Sequence, residues 1–334
     1  MRSRIAPTVG LFFLAPLVAE FLLGNLPITF LPAVLALAPL YGGGALLIRE
    51  VVRRRGRGWP NILILAVAYG VLEEGLTTQS LFNPNYADQH LLVDGFLPAL
   101  GIAVPWTVYV IGIHVFWSVC APIMMMEVIS GARRTTPWLG RAGLIVTGVL
   151  FLAGCGISVV ITMSTWPYTA TPGQFLTTSI VLVLLIAAGL LVRIGFRPRP
   201  GVAPSALVVL IATLVAGAVF QGLTLDVLHV PAALAVAVWV LDVAVYLTLL
   251  AHWSARAGWT DLHRLAIAAG ALLTYAWHSF VETPVGAAAA AVDLIGNAIF
   301  TAGAVTLIWY AYRKVTARAA PAGISGVHDD RSVG

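Results

Sequence analysis

The side chains best equipped for chemistry gather in a few short runs, the sharpest of them Val71-Leu72-Glu73-Glu74-Gly75-Leu76-Thr77-Thr78-Gln79-Ser80. Two adjacent carboxylates within a turn of hydroxyl and amide groups form a polar seam in apolar surroundings, a protonatable pair that calls for water, a cation or a substrate. His114, in Gly-Ile-His-Val-Phe-Trp-Ser, has Ser118 one turn along the same face. His278, in Tyr-Ala-Trp-His-Ser-Phe-Val-Glu, has Thr274 and Glu282 one turn away on either side. An imidazole can pass a proton, bind a metal, or stay neutral on a single hydrogen bond. Glu73, Glu74 and His114 are therefore the candidate reactive or proton-carrying groups. Glu74, His114 and His278 together supply the donor types of a His-His-carboxylate zinc site, provided their helices converge. Glu20, Asp242 and Asp293 complete the ionisable groups inside apolar runs, with Asp242 a relay group or a partner for one histidine. Glu127 and His252 fall near run ends, where their length lets them reach the interface. The competing reading for each is a hydrogen-bonded helix clamp.

The elements that must position these groups are set by composition. Of 334 residues, 60% are hydrophobic and 10% charged, and mean hydropathy is +0.94, whereas soluble domains carry about a quarter charged residues. The excess apolar surface has to face lipid. A net charge of +5 does not point to nucleic acid, because the basic residues sit in short clusters between apolar runs without recognition elements. Neither a Walker-type nor a zinc-finger spacing is present. Cys120 and Cys155 lie in apolar runs and read as small packing residues. The first apolar run reads as a retained helix and not a cleaved leader.

Windows of about 20 residues give spans at 9–24, 28–48, 60–82, 98–126, 139–163, 174–194, 204–223, 229–252, 264–281 and 287–312. The expected fold is thus an all-α polytopic transmembrane bundle of about ten spans, a single domain over 1–316 with a flexible cytoplasmic tail at 317–334. A re-entrant pair within 9–48 is the alternative for the first two spans. The ten-span threading places all 19 Lys and Arg residues on one side. They are Arg2 and Arg4; Arg49, Arg53, Arg54, Arg55 and Arg57; Arg133, Arg134 and Arg141; Arg193, Arg197 and Arg199; Arg256 and Arg264; and Arg313, Lys314, Arg318 and Arg331. Positive groups are held on the cytoplasmic side during insertion, so both termini are expected there, in the cell membrane. The opposite loops carry Asp88, His90, Asp94, Asp226, His229 and Glu282. Trp59, Trp138 and Trp259 are expected at the cytoplasmic interface, Trp106 and Trp166 at the outer one. Pro60, Pro98 and Pro137 read as helix starts.

Ten spans divide into five plus five, and an odd number inverts the second half, as in the inverted repeats of secondary carriers. The third span then corresponds to the eighth and the fourth to the ninth, pairing Glu73 with Asp242 and His114 with His278. A glutamate pair in a membrane helix followed by a membrane histidine also resembles the CAAX-protease and bacteriocin-processing family of intramembrane endopeptidases. That family's pattern is Glu-Glu-x-x-x-Arg, then Phe-x-x-x-His, then His-x-x-x-Asn/Asp. Glu73, Glu74 and His114 match it. Thr78 stands at the arginine position and Val110 at the phenylalanine. His278 lies far down the chain, with Glu282 at the Asn/Asp position. The resemblance implies glutamate and histidine acting on water.

Three functions follow as expectations. A transporter or permease would bind a small solute or proton at Glu73 and Glu74, with His114 as relay. An intramembrane hydrolase would use Glu74, His114 and His278 around zinc, the one cofactor any reading implies. A scaffold or complex subunit would use the same groups as helix clamps. The lipid bilayer is the partner common to all three, and nucleic acid is not a partner.

Overall fold

A computed structural model describes residues 2–225, 228–285 and 288–319, with side chains from residue 5 onward. The side chains of Arg2 and Arg4, Asp226, and the tail from residue 320 with Asp329, Asp330 and Arg331 lie outside the described residues.

Apolar runs become helices here because a backbone in hydrocarbon must satisfy its own hydrogen bonds. α1 (Arg2–Pro16) continues as a π-helical stretch, Leu17–Leu22, and α2 (Val34–Arg54) follows a 3-10 segment, Ile28–Ala33. α3 (Trp59–Leu72) ends in a second π-helical stretch, Glu73–Thr77. α4 (Val104–Ile113) and α5 (Ala121–Ser130) form one rod joined by a third, His114–Cys120. Then come α6 (Arg141–Thr165), α7 (Pro172–Leu191), α8 (Ala206–Gly222), α9 (Ala232–Ser254), α10 (Asp261–His278) and α11 (Ala290–Ala319). Each of the ten apolar runs has its helical rod among the described residues, and the first two are separate rods. Proline stands in the first turn of α3, α4 and α7, where no amide proton is needed. Thr171 and Gln174 close a reciprocal cap on α7.

Seven of these helices are long and apolar enough to cross a membrane, and α8 is apolar but shorter. Burial sorts them: 61% of the apolar window in the α4–α5 rod is buried, against 11% in α6, α7 and α9. Leu152, Val160 and Leu241 are exposed on these outer helices, and such faces belong against lipid. The chain is an all-helical, multi-pass membrane protein, with almost no strand.

The basic connections meet at one end of the bundle. Arg49 donates to the carbonyls of Arg134 at 2.7 Å and Thr136 at 3.0 Å. Arg134 lies 3.6 Å from Asp261, and Arg318 donates to the Val128 and Ile129 carbonyls. At the other end, Val285 N–H bonds the Asn25 carbonyl at 2.8 Å, and Gln79 accepts from Ala170 N–H at 2.7 Å. Among the described residues, the arginine-bearing connections around Arg49, Arg134 and Arg264 and the end of α11 at Arg318 thus lie together.

Four details differ from the sequence reading. The fourth rod starts at Val104 and not at 98, because Phe96–Leu97 (β1) and Ile102–Ala103 (β2) pair as a small antiparallel hairpin across Pro98. Gly95 precedes it and Gly101 lies in its turn, at φ of +63° and +67°, a region open to glycine. Trp138 is not an interfacial ring: it is buried with the Arg49 guanidinium 3.3 Å above its centre. Glu127 does not reach the interface either, since two arginines hold it inside the protein. Finally, packing does not follow the five-plus-five correspondence. α2 packs along α1 and α6, whereas α7 packs on α3 and α8 on α10.

Candidate functional site

Three of the inner rods carry a π-helical stretch, and each coincides with an acid or histidine. Leu17–Leu22 holds Glu20, Glu73–Thr77 holds Glu73 and Glu74, and His114–Cys120 begins with His114. A π turn inserts one residue into the helical ladder, which rotates the following side chains and is common at functional positions. Here the three stretches bring their polar groups to one cavity of about 300 Å³, whose wall also includes Tyr86, Trp106 and Trp166.

His114 is the centre. Its Nε2 is 2.7 Å from Glu74 Oε1 and its Nδ1 is 3.3 Å from Glu73 Oε2, so the imidazole stands between the two carboxylates. Ser118 Oγ is 3.2 Å from the same Nδ1. The ring lies between Tyr41, stacked at 6.1 Å between centroids, and Tyr69, edge-on at 6.0 Å. Close approach of α3 to α4 depends on Gly70, where a Cβ would come 3.3 Å from His114 Cβ and 3.2 Å from Ile111 Cδ1.

The two glutamates are held differently. Glu74 is fully engaged: Oε1 faces His114, while Oε2 accepts from Thr78 Oγ1 at 3.1 Å and from Ser80 Oγ. Trp106 Nε1 in turn donates to Ser80 Oγ at 3.3 Å. Glu73, though only 2% exposed, has no hydrogen bond to Oε2, and the buried Tyr69 hydroxyl stands beside the same carboxylate. Glu20 accepts from Tyr41 Oη and from Asn25 Nδ2, the latter at 2.5 Å. Above the cavity, burial and then the carboxylates of Glu74, Glu20 and Glu73 push the Tyr86 phenol well above its ordinary value, so it stays neutral.

Among the described residues, the cavity lining includes Glu20, Glu73, Glu74, Glu282 and His114, and no lysine or arginine. Such a wall attracts cations. Among the described residues, Glu73, Glu74 and His114 also form a group able to offer three ligand atoms to one metal ion. His278 is not in that group. It is 1% exposed, with Nε2 3.0 Å from Glu282 Oε2, and touches the cavity only through that glutamate. The expected ligand set of Glu74, His114 and His278 is thus not the one that meets; Glu73 takes the place of His278, because α10 runs past the cluster on the α5 and α8 side.

Asp242 stands elsewhere, in a separate apolar cavity with neither candidate histidine. Asp293 accepts from Asn297 Nδ2 at 3.3 Å, and His252 lies between Arg199 and Arg256, 2.6 Å from each. Sequence reading passed over Tyr41, Tyr69 and the basic-end network of Arg49, Glu50, Arg53 and Glu127. Tyrosine in an apolar run carries no charge signal, and the arginines were already explained by their side of the membrane.

No curated protein and no solved structure shows significant similarity to the chain. A family model described as "Uncharacterized membrane protein family" matches residues 10–320, nearly the whole length, and the chain belongs to that family.

Proposed function

We propose that the chain is a permease-type membrane protein that exchanges protons for a small cationic solute at the Glu73–His114–Glu74 cluster. The observation that carries this reading is the convergence of three π-helical stretches on a cavity with four carboxylates and, among the described residues, no lysine or arginine. Carriers hold cations within a membrane at acid-lined cavities where the helices are locally irregular, and the three π-helical stretches supply that irregularity here. Glu74, fixed on both oxygens, orients the imidazole, and Glu73, whose Oε2 has no hydrogen bond and meets the imidazole at 3.3 Å, is the group placed to trade a proton for a cation. The basic end is shut by the buried ion pairs of Arg49, Arg53, Glu50 and Glu127, so the cavity faces the side away from the arginines. In this reading all ten rods cross the cell membrane, both termini are cytoplasmic, and the cavity opens outward.

The test is flux in proteoliposomes under an imposed proton gradient, with sodium, potassium, divalent metals and small amines offered in turn. Wild-type protein is expected to accumulate one class, and Glu73→Gln to lose at least ten-fold of that flux while still eluting as a folded protein. A wild-type protein that moves none of them, or a Glu73→Gln variant with full flux, overturns the reading.

The contact between Glu74 and His114 favours a second reading, the hydrolase that the endopeptidase resemblance implies. Glu73, Glu74 and His114 would hold a zinc ion, which would supply Lewis acidity for attack by water. The donor chemistry fits, but the spacing is that of a hydrogen bond: ligands at 2.0–2.1 Å from a tetrahedral ion lie roughly 3.3 Å apart, against 2.7 Å between Glu74 and His114. The bond must open to admit the ion, which places this reading second. Stoichiometric zinc in purified protein, lost on His114→Ala, would promote it above transport.

A further inference from the structure

A second cavity of about 360 Å³ lies among α3, α5, α8, α9 and α10 and shares no lining residue with the acid-lined one. Its wall is apolar and rich in rings, including Phe116, Trp117, Phe220 and Tyr246, and it holds one carboxylate, Asp242. Asp242 sits midway along α9, at the depth where an ionisable group is most costly.

The nearby polar groups are already taken. Thr213 Oγ1 donates to the Val209 carbonyl at 2.7 Å and lies 2.8 Å from Tyr246 Oη. Arg264, the one basic residue of the lining, is 2.9 Å from Asp261 Oδ1. Among the described residues Asp242 has no ion-pair or hydrogen-bond partner. A half-buried carboxylate in such a wall is complemented by a cation whose charge is spread over apolar groups. The carboxylate pairs with the charge, while the ring faces give cation–π attraction and bury the apolar surface. A hydrated metal ion would lose too much solvation among these rings, and an acyl chain would leave the acid uncompensated.

We infer that this cavity is a binding site for a lipophilic monovalent cation, anchored by Asp242 and enclosed by Phe116, Trp117, Phe220 and Tyr246. The site does not rest on the chemistry of the acid-lined cavity, and its failure would leave that reading untouched.

The experiment is equilibrium binding of tetraphenylphosphonium to the full chain in phosphatidylcholine nanodiscs, beside tetraphenylborate, which has the same shape and opposite charge. Saturable one-to-one binding of the phosphonium is expected, with at least ten-fold weaker binding to Asp242→Asn and none of the borate. Equal binding of both ions, or undiminished binding to Asp242→Asn, overturns the site. Should that variant fail to fold, dicyclohexylcarbodiimide labelling of wild-type protein, read by peptide mass, serves instead. Phosphonium must protect Asp242 from the reagent, and absence of protection rejects the proposal.

Discussion

Two buried clusters of charge occupy opposite ends of the same helices, and they are built on different accounts. At the basic end, Arg49 and Arg53 face Glu50 and Glu127, two charges of each sign. Glu127 accepts from Arg53 Nη2 at 2.6 Å and forms an ion pair with Arg49, whose Nε lies 3.1 Å away, and Glu50 accepts from the backbone N–H of Trp138 and Leu139. At the other end Glu20, Glu73, Glu74 and Glu282 have beside them the imidazole of His114 and, at Glu282, that of His278, with no lysine or arginine among the described lining residues. Burial is nearly the same: Glu127 and Glu73 are each 2% exposed. Internal neutralisation is what separates the two: the basic end carries its own counter-charges, and at the acid-lined cavity they would come from the cation proposed above.

The widest separation between the two clusters should appear when one acid is removed from each. Glu127→Ala leaves two buried guanidiniums short of their shared partner and is expected to cost about 3–5 kcal/mol, read as a large fall in melting temperature in detergent. Glu73→Gln removes a carboxylate whose Oε2 has no hydrogen bond, and stability should change by about 1 kcal/mol or less, or rise. If Glu73→Gln melts as badly as Glu127→Ala, the acid-lined cluster is also a clamp and the contrast fails.

Next in size is the spacing of the helices around His114. A Gly70→Val side chain would press on Ile111 and His114 Cβ, an overpacking worth about 1–3 kcal/mol, and would drive α3 from α4 so that the 2.7 Å contact of His114 with Glu74 lengthens. Gly156→Val is the matched control, since a Cβ there meets nothing within 4 Å. Flux should fall several-fold more for Gly70→Val than its loss of stability explains. Equal flux in the two variants would show that the Glu74 contact is not needed.

The sequence was most legible where a single physical rule acts alone. Lipid forces apolar runs into helices, and arginine placement fixes which ends lie together, so the rods and their two-sided arrangement could be read directly. The meeting of Glu73 and Glu74 with His114 was legible only as a condition, because a π turn leaves no mark in composition. Whether Glu73 and Glu74 share a cavity depends on the residue inserted at Glu73–Thr77, which breaks the 100° rotation expected between helical neighbours. His278 was misplaced for a related reason: donor type was visible, but the direction in which α10 passes the cluster was not. Glu127 and Trp138 were read as interfacial because depth along a helix says nothing about which side faces protein. The same ambiguity hid Glu50, which lies beside a run of arginines that the positive-inside rule already explained.

The smallest expected effect lies at the cavity rim. Glu282 is 28% exposed at its side chain and pairs with His278 at 3.0 Å, so its contribution to stability is near the surface-pair range of about 0–1 kcal/mol. Its charge still faces the cavity. A unit charge ~10 Å from a bound cation contributes roughly 0.4–1.7 kcal/mol between dielectric constants of 80 and 20. Glu282→Gln should therefore raise the half-saturating cation concentration roughly two- to seventeen-fold with little change in maximal flux, and the increase should shrink at high salt. His278→Ala frees the same carboxylate from its partner and should leave the charge, and so the affinity, nearly as it was. A loss of maximal flux in His278→Ala as deep as that of Glu73→Gln would move the histidine from the rim into the working cluster. The line between a neutralised clamp and an open acid site would then have to be redrawn to include α10.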